Sequence, residues 1–201
     1  MRQVTGRTNH PNDFKKVSIQ LALDGHSFSL PTPTEGVEVV ELLSAATLLI
    51  PRELYQSDRV AGFFAAAGCV VPRGAEFVAC EVAERPDVVA VVAMPGAVME
   101  QVRAQFDGVR YVTPLLALPT VTAPVMAVCD TGSLIYIKVY DPQLSLAEVV
   151  SAETVQEVDF LLEQLASQYE LPRFTLELDL RIDDKQRLKS YKNRFKHLVC
   201  V

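Results

Sequence analysis

The residues best placed to do chemistry are Asp130-Thr131-Gly132-Ser133, a polar turn between two apolar runs, VMAVCD and LIYIKVY. A carboxylate here can hold a metal and its water, Gly132 lets a ligand approach the backbone, and Thr131 and Ser133 supply hydroxyls. The N–H groups of such a tight turn form an anion-binding nest. Phosphate chemistry, with Mg2+ at Asp130, is what this turn would serve. Asp24-Gly25, after VSIQLAL, stands at a matching place in the first half but has His26 where a small residue is expected. Both are also ordinary turn chemistry that needs no ligand, since Gly accepts positive φ and Asp tolerates it.

A second arrangement uses carboxylates alone. Asp130, Glu153 or Glu157, and Asp179 fall at the end of a strand, the start of a helix and the end of a later strand, as two-metal nuclease chemistry requires. The bland reading places these groups at strand ends and on a solvated helix face. His10, His26 and His197 have no metal-ligand spacing to one another or to a cysteine. No nucleophile elbow and no G-x-x-x-x-G-K-[ST] loop is present. The basic run RLKSYKNRFKH reads as a solvated helix face, or as a contact for phosphate or an acidic partner.

The elements around the Asp130 turn are clear. After the two runs, DPQ turns the chain and LSLAEVV returns a third strand. In ETVQEVDFLLEQLASQY, Val155, Val158, Leu162, Leu165 and Tyr169 recur at steps of three and four, which predicts an amphipathic helix. Thr154 and Glu157 suit a capping box, and Leu171-Pro172 forces the exit. FTLELDL, a short charged helix and FKHLVCV complete the half. Strand-strand-strand-helix-strand-helix-strand is the order of a ribonuclease-H-like unit.

The first half carries a looser copy. Val17, Ile19, Leu21 and Leu23 alternate with more polar residues, Asp24-Gly25 turns the chain, SFSL is a second strand and VEVVELL a third. Pro51 interrupts any single helix in SAATLLIPRELYQSDRVAGFFAAAG, Ser57 or Asp58 is expected to cap a fresh one, and Val60, Phe63, Phe64 and Ala67 share its apolar face. EFVACEVAERPDVVAVVAM predicts two strands joined at 84–87, the second apolar throughout and so covered on both faces. A helix follows, with Val98, Val102 and Phe106 on one side. The organisation expected is a flexible polar tail over 1–15, one unit over 16–118 and a second over 124–201, with the proline-rich stretch 114–124 as the boundary.

Composition narrows the function classes. The 201 residues carry a net charge of −6, which argues against a broad nucleic-acid footprint. Cys69, Cys80, Cys129 and Cys200 are scattered beside Val or Ala and read as small core residues in a reducing compartment. The polar N-terminus lacks the apolar core of a signal peptide, and no run nears the ~18 apolar residues of a spanning helix. A cytoplasmic protein with no membrane insertion is expected.

Carried by VSIQLALDGHSFSL, ATLLIPRELY, VVAMPGAVMEQVRAQF and the strand-DTGSLIYIKVYD-helix segment, the chain resembles a bacterial family of unknown function with an actin-like ATPase fold, similar in architecture to the pilus-assembly branch. The resemblance implies an α/β protein with mixed sheets, two ribonuclease-H-like units in an actin-like ATPase arrangement. It implies that Mg-ATP would sit between the Asp24-Gly25 and Asp130 to Ser133 turns, with Asp130 toward the metal. It also implies a glycine-rich turn against the adenosine, where this chain has Arg181-Ile182-Asp183-Asp184-Lys185 instead. A fold kept without hydrolysis matches the scaffold role of the pilus-assembly branch, whose partner is another protein. The expectation is a non-catalytic protein-binding scaffold, with a nucleotide-binding ATPase as the alternative and a nuclease more remote.

Overall fold

The structure, a computed structural model, describes residues 15–21 and 36–201. The chain divides into two compact units at the Ala117–Leu118 junction.

The first unit contains β1 (Lys15–Gln20), β2 (Val37–Leu43), β3 (Thr47–Pro51), α1 (Val60–Ala66), β4 (Ala75–Cys80), β5 (Val88–Pro95), α2 (Gly96–Gln105) and β6 (Arg110–Val112). Where one mixed sheet is expected, these strands form two. β1, β2 and β6 make a parallel sheet in that order, and β3, β5 and β4 make an antiparallel one. The switch lies at Ser44 to Ala46. The Ser44 hydroxyl donates to Ala93 O at 3.0 Å, and Thr47 Oγ1 donates to Ser44 O at 2.7 Å, which turns the chain off β2 and onto β5.

β5 is apolar throughout because each face meets a core. Ala90, Val92 and Met94 pack with Val40, Leu42, Val98, Met99 and Val102. Val89, Val91 and Ala93 pack with Ile50, Val60 and Phe64. The start of α1 differs from the expectation: its N-cap is Arg59, with no side-chain cap bond from Ser57 or Asp58. Val60 and Phe64 are buried but Ala67 is exposed. The hairpin expected at Asp24-Gly25 and the SFSL strand lie outside the described residues.

The second unit follows the sequence reading element by element. It comprises β7 (Val125–Asp130), β8 (Leu134–Tyr140), β9 (Leu144–Ser151), α3 (Val155–Gln168), β10 (Thr175–Leu180), α4 (Lys185–Arg194) and β11 (His197–Cys200). The sheet order is β11-β10-β7-β8-β9. β7, β8 and β9 are antiparallel neighbours, whereas β10 and β11 join parallel on the other side of β7. α3 starts with the expected capping box: Thr154 Oγ1 accepts from Glu157 N, and the Glu157 carboxylate accepts from Thr154 N. Val158, Leu161, Leu162 and Leu165 then pack on Met126, Val128, Ile135, Ile137 and Leu176. The strand entering this core is fixed from the side, because Glu177 Oε2 on β10 accepts from Thr120 N and Oγ1, both at 2.6 Å, and from Val121 N.

Cys80 and Cys129 are buried as expected, but Cys200 is exposed on the short strand β11. Among the described residues no helix is long and apolar enough to cross a membrane.

Candidate functional site

Asp130 ends β7, the central strand of the second sheet, and is fully buried. Both of its carboxylate oxygens accept from the protein itself. Oδ1 takes the Gly132 N–H at 2.9 Å and Arg187 Nη1 at 2.8 Å. Oδ2 takes the Tyr191 hydroxyl at 3.0 Å. The carboxylate thus accepts from three donors, one of them a full positive charge.

Arg187 reaches the turn from the first turns of α4. Asp184 caps that helix, accepting from Gln186 N at 2.8 Å and Arg187 N at 3.1 Å, which fixes the register. At spacings of three and four, Arg187, Ser190 and Tyr191 then share the one buried face of an otherwise hydrophilic helix. The guanidinium is 1% exposed, and its Nη2 donates to Gly132 O and Ala152 O, each at 2.8 Å. It therefore joins the β7–β8 turn, the end of β9 and α4 in one buried node. The Tyr191 phenol is pushed well above its usual range, first by burial and then by the nearby Asp130 charge, so it stays protonated and donates.

The remaining turn groups are engaged too. Thr131 Oγ1 donates to Leu134 O at 3.1 Å and accepts from Leu134 N at 3.2 Å, closing the hairpin. Ser133 O accepts from Ala152 N at 2.9 Å. Gly132 has φ 97°. A Cβ built there would lie 2.9 Å from Ile182 Cγ2, so only glycine fits beneath that side chain. Ile182 belongs to the segment after β10, where the sequence lacks the adenosine-side glycine turn.

Asp24 and Gly25 lie outside the described residues. Glu157 belongs to the capping box, and the Thr154 and Glu153 N–H groups together with the Thr154 hydroxyl hold its carboxyl below the usual range, the Thr154 N–H first. Asp179 Oδ2 accepts from Arg181 Nε at 2.8 Å. Among the described residues no cluster of three or more His, Cys, Asp or Glu side chains is placed to hold a metal.

The sequence reading of RLKSYKNRFKH as a solvated face is corrected at Arg187 and Tyr191. Leu188, Tyr191 and Phe195 recur at steps of three and four and pack on the second-unit core, so apolar periodicity could have found the buried side of this helix; nothing in that pattern marks Arg187.

No protein-family model matches the chain, and no curated protein matches it. Among solved structures it is similar to a Bacteroides thetaiotaomicron protein with actin-like ATPase fold and unknown function. The two share 14% sequence identity, the match covers 98% of this chain and 94% of that one, and the TM-score is 0.68. The chain has an actin-like ATPase fold. A second match is the cytoplasmic domain of EpsL, an inner membrane component of the type II secretion system of Vibrio cholerae. It has 16% identity and a TM-score of 0.41 over 79% of this chain and 68% of that one.

Proposed function

We propose that this protein is a non-catalytic, cytoplasmic scaffold that uses an actin-like ATPase fold to bind another protein. The observation that carries the reading is the Arg187 guanidinium on Asp130. A nucleotide site of this fold needs that carboxylate free to hold a hydrated cation and the turn open to phosphate. Here an internal cation already neutralises Asp130, Thr131 closes its own hairpin and Ile182 covers Gly132. Admitting Mg2+ would require expelling a buried arginine that makes three hydrogen bonds, at a cost of several kcal/mol. Phosphoryl transfer needs metal, phosphate donors and a positioned water together, so one sealed turn disables it. The same bonds weigh against a nuclease, whose metals would need Asp130 with Glu157 and Asp179, each of which has another partner.

A protein-binding role is supported by the apolar side chains left on the surface. Val70 is 91% exposed, Phe160 61% and Leu54 52%. Calorimetric titration with Mg-ATP tests the reading. The expected outcome is no saturable heat below millimolar nucleotide. A micromolar dissociation constant, lost in Asp130→Asn, would establish the ATPase alternative in its place.

A further inference from the structure

We propose that the outer face of α4 and the groove at its C-terminal end dock an acidic segment of a partner protein, with carboxylates on the lysines and an apolar side chain in the groove. Lys185, Lys189 and Lys192 fall at steps of four and three, so they form one stripe about 10 Å long. All three are exposed, on the far side of the helix from the buried Arg187 and Tyr191. Lys196 follows just past the helix end and is exposed as well.

The stripe is charge without a counter-charge. Residues 185–197 contain no Asp or Glu, although the whole chain carries −6. Arg173, Arg181, Arg187 and Arg194 are each ion-paired, to Asp141, Asp179, Asp130 and Glu163 respectively. None of the four lysines is ion-paired among the described residues. Asp184, next to Lys185 in sequence, is turned instead to the helix cap and to Arg187. Uncompensated ammonium groups gathered on one face of an acidic protein select a ligand that carries the complementary charge.

The surroundings choose among anionic ligands. A helix that lies on a membrane sets large apolar side chains beside its lysines. Here the exposed neighbours are Gln186 and Asn193. A single-stranded nucleic acid needs a platform of aromatic faces. Tyr169 is the one aromatic side chain on the groove, and it already packs edge to face with Phe174 at 5.9 Å. Lys196 stands on the rim of that groove, which encloses about 650 Å³ and is walled by Ala166, Tyr169, Leu171 and Pro172. The groove's own charges nearly balance, since Arg173 and Arg194 hold Asp141 and Glu163, and Glu170 also lines it. A basic stripe leading to an apolar-walled groove fits a segment with carboxylates at helical spacing and a leucine-sized anchor at one end. The inference rests on the protein-binding reading for its class of partner, and on these residues for its site.

Fluorescence anisotropy on the full chain tests it, using labelled helical peptides with glutamate at positions i, i+4 and i+7. One carries a leucine pair at its N-terminal end, one at its C-terminal end and one carries none. A leucine-ended peptide should bind with a dissociation constant of roughly tens of micromolar at about 50 mM salt, and at least about tenfold more weakly at about 500 mM. Lys189→Glu combined with Lys192→Glu should weaken every peptide at least about tenfold, with unchanged circular dichroism because both side chains are exposed. Ala166→Glu, on the exposed groove wall, should abolish the advantage of the leucine-ended peptide over the leucine-free one. Dissociation constants above about 1 mM for all three peptides, binding indifferent to the charge reversal, or a leucine-free peptide that binds as tightly as the others would overturn the proposal. Such a result strikes this face alone and leaves the scaffold reading to the Mg-ATP titration. Tighter binding of an oligouridylate or of phosphatidylserine vesicles, lost on the same charge reversal, would also overturn it and assign the face to a nucleic acid or to a membrane.

Discussion

Replacing Arg187 by methionine keeps most of the side-chain volume and removes the charge from the buried node. Three consequences follow. Asp130 loses its only charged donor among the described residues while remaining fully buried. The Gly132 and Ala152 carbonyls each lose a donor at 2.8 Å. Breaking a buried pair from one side costs about 3–5 kcal/mol, and each orphaned carbonyl adds about 1 kcal/mol. Folding stability is typically about 5–15 kcal/mol, so Arg187→Met should be folded but fragile. Urea unfolding followed by far-ultraviolet circular dichroism suits a chain with no tryptophan. Adding Asp130→Asn removes the unpaired charge, so the double variant should be less damaged than the two single losses summed, by at least about 2 kcal/mol. A loss below about 1 kcal/mol in Arg187→Met, or additivity within about 0.5 kcal/mol, would refute the claim that these groups form one node.

Gly132→Ala should destabilise by about 1–3 kcal/mol through its left-handed φ and the Ile182 contact, with Ile182→Ala restoring only the steric part in the same urea assay. Leu162→Ala and Leu165→Ala should each cost about 2–5 kcal/mol, and a change below about 0.5 kcal/mol would put the buried face of α3 elsewhere. Glu157 has a depressed folded pKa, so its contribution is present above the ordinary value of 4.5 and lost as pH falls below it. Glu157→Gln should therefore flatten the stability profile in that acid window, and an unchanged profile counts against the capping box. Burial pushes the Cys80 thiol up to about 12, so at pH 8 a thiol reagent should label Cys200 and spare Cys80 until the protein unfolds.

The second unit was legible because its signals agree with one another. Turn residues fall between apolar runs, and the Thr154–Glu157 box opens a helix of clear period. β5 was readable for the opposite reason: it has no period, as a strand with a core on each face should not. The first unit was harder. TLLIP is a five-residue strand, too short to be told from a helix fragment by periodicity, and its departure from β2 rests on the Ser44 hydroxyl reaching the distant Ala93 carbonyl and on the local Thr47 to Ser44 bond. At the site, the sequence brings Asp130, Thr131, Gly132 and Ser133 into one turn, as read. What it concealed was the partner. Arg187 is 57 residues away in a strongly charged helix whose apolar stripe, Leu188 and Tyr191, gives no sign of a buried arginine beside it, and the parallel placement of β10 beside β7 aims α4 at that turn.

The central claim is that the Arg187 guanidinium permanently occupies the carboxylate that a nucleotide-bound metal would need. Nitrogen-15 NMR of the arginine side chains observes that group directly. A guanidinium fixed by Asp130, Gly132 and Ala152 should give slowly exchanging Nη–H signals, absent in Arg187→Met, that do not move on addition of millimolar Mg-ATP. Freely rotating, rapidly exchanging Arg187 signals, or signals that shift with a micromolar midpoint as Mg-ATP is added, would contradict the account.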